Sequence, residues 1–440
     1  MDSTRKWIRK QFLLALGIPA GIVITALVLL LLVPDYRDYR LNINDYYHFI
    51  LWISRPAGLV ALVSGGIAVA WSFCILMAIS RMGRAALQSR DVLLQQFARG
   101  HRWLVYNIVM IALLLLTAAS SVMLQTAALV LYRKWMDVFG AVALVLLVGG
   151  LVLLCKVYLT LVRRHEAEDD TAFGRAVSRQ EAPLVWKLVD EVTRNAHVVA
   201  PDNIILGLDA TFYATEAPLY LNSAQTPITG RSLYLSVPYL AYLTRDEAAV
   251  IIGHELAHFT GADTEYTLKF AEIYTTTQRQ YHALYPGDAN IWMGMAAPVR
   301  ALFAYYLSAF DLAVKHWSRE RELLADRIGA GAVNHEAAVR ALMCTTTLAS
   351  VIEAVLYDFH HHRGKTAHPG GLLEQVFEAV RAAGPLDPMA HLQDSQPHPR
   401  DSHPPTIQRI EALGITPDPE LAARVNRHEP GELLQELGLK

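Results

Sequence analysis

Charge is what this chain has least of. Only 18% of its 440 residues are Asp, Glu, Lys or Arg, against about a quarter in ordinary soluble domains, while 53% are hydrophobic. A deficit gathered into long uncharged blocks excludes a disordered or fibrous chain and points to a membrane protein carrying a soluble part. With 39 basic and 41 acidic side chains the net charge is −2, so the polybasic field that nucleic-acid binding needs is missing, and nucleic acid is not an expected partner. Cysteine is also scarce. Cys74, Cys155 and Cys344 stand far apart in apolar runs with no C-x-x-C between them, which excludes a disulfide framework and a thiolate metal site.

What is present begins with residues 13–33, an uncharged run long enough to cross about 30 Å of hydrocarbon. Arg5, Lys6, Arg9 and Lys10 precede it as in a signal peptide, but its length and the lack of a small-x-small cleavage site before Pro34 mark a retained anchor. Similar blocks at about 57–79, 104–132 and 138–162 complete four expected transmembrane helices within residues 1–164. Arg81, Arg84, Arg90, Arg99 and Arg102 follow the second block and Arg163 and Arg164 close the fourth, whereas the opposite loops hold fewer basic residues. The positive-inside rule then places the N-terminus and everything after residue 163 in the cytosol, in a multi-pass protein expected in a bacterial inner membrane.

A charged connector at 164–170 opens a folded domain expected over 165–415, followed by a helical tail at 416–440. Helical patterns at about 181–196 and 245–260 flank β-type runs between 203 and 238, such as Asn203–Leu206 and Ser232–Val237. The expected fold is mainly α, with four N-terminal spans followed by an α+β domain containing a small sheet. Residues 384–405, rich in Pro, His, Asp and Ser, read as a loop. Ala338–Tyr357, interrupted by Arg340 and Glu353, reads as a core helix. His360, His361 and His362 read as a solvated loop in preference to a metal patch.

One motif carries chemistry. Thr244 and Glu247 form a capping-box pattern at a helix start, and His254 and His258 follow four residues apart, so both imidazoles project from one helical face and can hold one Zn2+. Glu255 between them can reach water at such an ion. This is H-E-x-x-H on a helix, and a catalytic site of this kind needs a third His, Glu or Asp from elsewhere. The best candidate is Glu322, four residues before Asp326 in a second helical pattern, so that Glu322 could ligate while Asp326 orients a ligand histidine. The competing reading makes Glu320, Glu322 and Asp326 a solvated face paired with Arg319, Arg321 and Arg327. Since His258 and Glu322 must reach one ion from one side, crossings between them must be even in number. Residues 262–285 hold Asp263, Glu265, Lys269, Glu272 and Arg279, too polar to span, so 291–314 is expected to pack over the site or lie against the bilayer.

These pieces, with His403-Pro404-Pro405 and Arg409 downstream, resemble the HtpX-like and CAAX prenyl endopeptidases, membrane-embedded zinc metallopeptidases of the gluzincin type. The resemblance covers roughly residues 180–415. It implies that Glu322 is the third ligand beside His254 and His258, that Asp326 supports the site, that His403 stabilises the oxyanion and that Arg409 holds the His403 loop. Two departures stand out: four spans before the metal helix, where the family has other numbers, and Ala210–Glu216 where the family tends to carry an Asn-Ala segment on the strand beside the cleft.

The expected activity is zinc-dependent peptide-bond hydrolysis with one catalytic Zn2+, Glu255 as general base and His403 as oxyanion donor. Expected partners are the lipid bilayer and polypeptide substrates, membrane proteins first, in quality control or processing. The alternative is a non-catalytic membrane scaffold or sensor with a structural zinc site. Nothing in the sequence assigns an oligomeric state.

Overall fold

A computed structural model describes the chain apart from residues 1, 33–44, 133–169, 223, 225, 261–272, 275, 283–290, 362–370, 395–402 and 440. The first helices are α1 (Asp2–Leu32), α2 (Asp45–Ala85) and α3 (Arg90–Tyr132). Strands β1 (Asp170–Ala172) and β2 (Gly174–Val177), helix α4 (Pro183–Asn195) and strands β3 (Asn203–Gly207), β4 (Tyr213–Thr215), β5 (Leu219–Leu221) and β6 (Ser232–Ser236) follow. The remaining helices are α5 (Val237–Leu240), α6 (Arg245–Ala257), α7 (Ile291–Ala330), α8 (His335–His361), α9 (Gly371–Ala383), α10 (Thr406–Ala412), α11 (Pro419–Val425) and α12 (Leu433–Glu436). They divide into two compact units, Met1–Ala167 with Lys269–Val314, and Glu168–Leu268 with Lys315–Lys440.

In the first unit, Leu13–Leu32, Ser54–Ala85 and Arg90–Thr126 are long and apolar enough to cross a membrane. Ile24, Leu31, Val63 and Tyr106 stay exposed along them, as side chains facing hydrocarbon must. Between α2 and α3, Trp71 Nε1 donates to Asn107 Oδ1 (2.8 Å) while Asn107 Nδ2 donates to the Trp103 carbonyl (2.7 Å), so both polar groups are satisfied inside the apolar stretch. The expected span at 138–162 lies outside the described residues. The chain is an integral membrane protein.

The basic segment expected as a loop between the second and third spans is mostly helix: α2 and α3 run on through it and leave only residues 86–89 between them. Onto these helix ends packs the N-terminal part of α7, which places 291–314 with this unit rather than with the block expected over 165–415. Tyr306 Oη donates to the Phe97 carbonyl (2.5 Å), and the Phe97 ring lies 5.1 Å from Tyr306 and 5.0 Å from Phe310. Gly83 permits the approach, because a Cβ there would sit 2.5 Å from the Ala309 carbonyl oxygen.

The second unit is built on a four-stranded sheet in the order β2-β3-β6-β4. Central β6 runs parallel to β3, with Asn203 opposite Ser232 and Gly207 opposite Ser236, and antiparallel to β4, with Tyr213 opposite Tyr234. Every β6 residue is buried. β4 therefore forms one edge. A separate parallel pair joins β1 to β5, and β1 and β2 lie before the region in which the sequence showed strand patterns. Helix α4 turns Val185, Trp186, Leu188, Val189 and Val192 inward, the spacing of an amphipathic helix. Helix α8 is also long and apolar enough to span a membrane, yet 67% of its apolar window is buried within this domain. Its Ala338, Val339, Leu342, Met343, Leu348 and Ile352 belong to the same core cluster as α4 and α6, which makes it a core helix.

Gly83→Val would drive a branched side chain into the Ala309 carbonyl. The expected outcome is a loss of about 1–3 kcal/mol of stability, measured as a lower Tm of the detergent-solubilised protein by tryptophan fluorescence. An unchanged Tm would mean that this helix contact does not form.

Candidate metal centre

Helix α6 starts from a cap that the local sequence encodes. Thr244 N–H donates to Glu247 Oε2 (2.8 Å) and Glu247 N–H donates to Thr244 Oγ1 (3.4 Å), which satisfies two amides reciprocally. Glu247 is fully buried, and its carboxylate also accepts from Arg340 Nε (3.2 Å) and Arg427 Nη2 (2.8 Å). The start of α6 is thereby held to α8 and to the C-terminal segment. From this start the chain carries His254 and Glu255 on the helix and His258 at its C-cap, so the two histidines share a face one turn apart.

Glycine brings the second ligand helix into place. A Cβ at Gly329 would lie 2.6 Å from the Val250 carbonyl oxygen and 2.8 Å from His254 N, and one at Gly253 would lie 3.1 Å from Gly329 Cα. α6 and α7 therefore cross backbone to backbone. Glu322 and Asp326, two turns and one turn earlier on α7, come to rest against His254. Both are buried, while Arg319, Glu320 and Arg327 on the other face are exposed.

Among the described residues, one group of His, Cys, Asp and Glu side chains could hold a metal ion: His254, His258 and Glu322, with ligand atoms all within 4.8 Å of one another. His254 Nε2 lies 3.4 Å from Glu322 Oε2, and His258 Nε2 lies 3.6 Å from Glu322 Oε1. Ligands held about 2.0–2.1 Å from a tetrahedral Zn2+ stand about 3.3–3.4 Å apart, so these separations suit zinc. His254 Nε2 is buried without a hydrogen-bond partner among the described residues, and its other nitrogen explains why it is available. Nδ1–H donates to Asp326 Oδ1 (2.9 Å). Because an ionised carboxylate only accepts, the proton belongs on Nδ1 and the lone pair of Nε2 is left for a metal.

Asp326 is in turn gripped by Arg409, whose Nε and Nη2 donate to Oδ2 (2.8 Å) and Oδ1 (2.6 Å). The paired fork of guanidinium and carboxylate is the arrangement that best compensates two buried charges. His403 comes from the turn before α10, and its Nδ1–H donates to Glu322 Oε2. That bond assigns Nδ1 to the ligand carboxylate. With Nδ1 so engaged, Nε2 carries a hydrogen only when the ring is protonated.

Burial and these partners set the electrostatics. Burial alone would push the Glu322 carboxyl up, but His403, His254 and His258 hold it well below its usual range. Asp326 is likewise pushed up by burial and pulled down further by Arg409, for a net lowering. Burial would lower the His254 imidazole, yet Asp326 and Glu322 outweigh it and raise the ring to about 10, so that without an ion Nε2 also carries a proton near neutrality, which a bound cation would displace to take up the lone pair. Glu255, also buried, has its carboxyl raised by desolvation against the opposing pull of His254 and His403.

The structure brings all seven expected residues, His254, Glu255, His258, Glu322, Asp326, His403 and Arg409, into one site within the second unit. The side chains of His360 and His361, and residue His362, lie outside the described residues. Sequence reading missed the Gly253–Gly329 crossing and a wall of α8 side chains described below. The local signal for that wall was a repeat of small and apolar residues at helical spacing, which also marks any core helix.

Asp326→Asn weakens the grip on His254 and leaves Arg409 buried without its counter-charge. Zinc affinity is expected to fall about 10–100-fold, measured by competition with a chromogenic chelator. Gly329→Ala should lower it as well by parting α6 from α7. Wild-type affinity in both variants would mean that neither the hydrogen bond nor the helix crossing shapes the site.

Residues 224–415 match the model of peptidase family M48, a range that contains all seven site residues and leaves α1–α3 and the C-terminal tail outside. The chain is 27% identical over 193 residues to a protein named protease HtpX homolog from Thermoplasma volcanium, a match that covers 43% of this chain and 56% of that protein. It thus spans little more than half the length of that curated relative. No solved structure matches. Over residues 224–415 this membrane protein is therefore similar to peptidase family M48, as it is to the HtpX homolog.

Proposed function

We propose that this protein is a zinc-dependent endopeptidase acting on membrane or membrane-proximal polypeptides. The observation that carries the reading is the placement of buried Glu255 beside three ligand atoms spaced for one tetrahedral ion. His254, His258 and Glu322 would hold the Zn2+. When bound, the ion supplies Lewis acidity, polarising a carbonyl oxygen and acidifying water. Three protein ligands rather than four, among the described residues, leave room for substrate, as a catalytic site requires and a closed structural one does not.

The chain's own residues supply the remaining steps. Glu255, its carboxyl raised by burial, takes a proton from the attacking water and delivers it to the leaving amine, a role best served by a group that titrates nearer neutrality. His403 keeps Glu322 oriented through Nδ1, and its ring, when protonated, would donate from Nε2 to the developing oxyanion. Ala210, Thr211 and Phe212, which lead into edge strand β4, line the same cavity as His254 and Glu255. An extended substrate segment can add to that edge by main-chain hydrogen bonds, so that sequence preference comes from side-chain recesses beside the scissile bond.

Membrane spans in the same chain favour membrane-borne substrates, with quality-control cleavage of damaged membrane proteins first and processing of a signal-like or lipidated peptide second. The positive-inside pattern supports a cytosolic site in a bacterial inner membrane.

The test is cleavage of casein and of membrane-protein fragments by detergent-purified, zinc-loaded protein. Glu255→Gln is expected to bind stoichiometric zinc while losing about 10^2–10^4-fold in kcat, and chelation should abolish the wild-type rate. Stoichiometric zinc without cleavage, together with equal segment binding by wild type and Glu255→Gln, would replace the endopeptidase by a binding scaffold.

A further inference from the structure

Beside Glu255 the second unit holds a cavity of about 40 Å3, much of whose wall is made by residues to which the proposed chemistry gives no role. Two helix faces build most of it. From α8 come Ala338, Ala341, Leu342 and Thr345, which recur at i, i+3, i+4 and i+7 and so form one stripe. From α6 come Val250 and Ile251, one turn before His254 and Glu255, which line the same space. Phe212 and Tyr239 complete the wall, their rings stacked 5.8 Å apart at 29°.

Size and polarity define what fits. One water needs about 10–15 Å3 of such space, so about 40 Å3 takes roughly three heavy atoms, the size of a Val or Thr side chain. Apart from the site's own His254, Glu255, Asp326, His403 and Arg409, the wall carries no charge. A Lys, Arg, Asp or Glu side chain laid against the α8 stripe would lose its hydration beside side chains that carry no charge. Tyr239 is buried, and its hydroxyl has no hydrogen-bond partner among the described residues. An occupant with a hydroxyl of its own can supply one.

Resting on the endopeptidase reading, we infer that this cavity receives the side chain of a substrate residue flanking the scissile bond and selects small uncharged residues, Ala, Ser, Thr and Val, against aromatic and charged ones. Ala338 and Ala341 set its size. Ala341 is the more informative of the two because a side chain added there extends from the middle of the α8 stripe.

The experiment has two arms. In the first, zinc-loaded full-length protein in detergent cleaves casein, the cleavage sites are mapped by mass spectrometry, and peptides differing only at the flanking residue are ranked by kcat/KM. Val and Thr peptides should exceed Phe and Lys peptides at least tenfold, within the range that one or two methylenes command in an apolar recess. Ala341→Leu should lower the Val-to-Gly ratio about tenfold, and Ala341→Gly should admit Leu. Tyr239→Phe should lower the Thr-to-Val ratio. Using ratios keeps a loss of overall fold from imitating the effect, and Ala341→Gly serves where the Leu variant does not fold.

In the second arm the same peptides, carrying a fluorophore, bind the Glu255→Gln variant and are followed by anisotropy. Cleavage with flat side-chain preference, or with a preference that Ala341 variants leave in place, would overturn the inference. So would the absence of any side-chain discrimination in the anisotropy arm. Discrimination there without cleavage by wild type would keep the cavity's role and sink the hydrolase reading instead.

Discussion

The rest of the metal centre depends on one buried chain of hydrogen bonds, from Arg409 through Asp326 to His254. Each member is at least nine-tenths buried, and each lies on a different helix, α10, α7 and α6. Alone, any of the three charged or polar groups would be costly to bury; together they satisfy one another with two guanidinium bonds and one imidazole bond. The chain also does chemical work. By accepting from His254 Nδ1, Asp326 turns Nε2 towards Glu322 as a candidate ligand atom, and Arg409 holds Asp326 in that position.

Around that chain, small residues set distances and a charged cluster sets the helix register. The Gly253–Gly329 crossing brings Glu322 within reach of both histidines, and a bulkier residue at either position would separate the ligand helices. At the far end of α6, Glu247 gathers the cap amide, Arg340 and Arg427. This anchors the helix start to a C-terminal segment beyond the range matched by the family model. The site is thus held at both ends of one helix, a condition for ligands that must stay within a few tenths of an ångström.

Some elements were legible residue by residue. Thr244 and Glu247 announce a helix start, and the spacing of His254 and His258 announces a shared face, because both patterns act over one turn. Apolar blocks announce spans for the same reason: a stretch is long and uncharged whatever surrounds it. Glu322 and Asp326 were legible only as candidates. Their neighbours Arg319, Glu320 and Arg327 gave equal grounds for a solvated face, and the helix proves to have both, one side buried in the site and the other exposed. Family resemblance singled out His403, but its bond to Glu322 joins side chains 81 residues apart, a separation that no local pattern bridges. Helix α8 shows the converse limit. Its length and apolarity suit a membrane span, Arg340 and Glu353 were the local signs against one, and its packing against α4 and α6 bears out the core-helix reading.

By itself the sequence determined the apolar helices, the capped metal-binding helix and the types of residue able to hold zinc, since these follow from periodicity, capping and side-chain chemistry within a few residues. Only the tertiary structure decided which carboxylate faces the histidines and which one holds them. It also decided that β4 is an edge beside the site and that four residues of α8 enclose a recess the size of a small side chain. Those outcomes turn on which groups from distant segments are buried together, and a buried charge is tolerated only where the folded chain brings its partner to it.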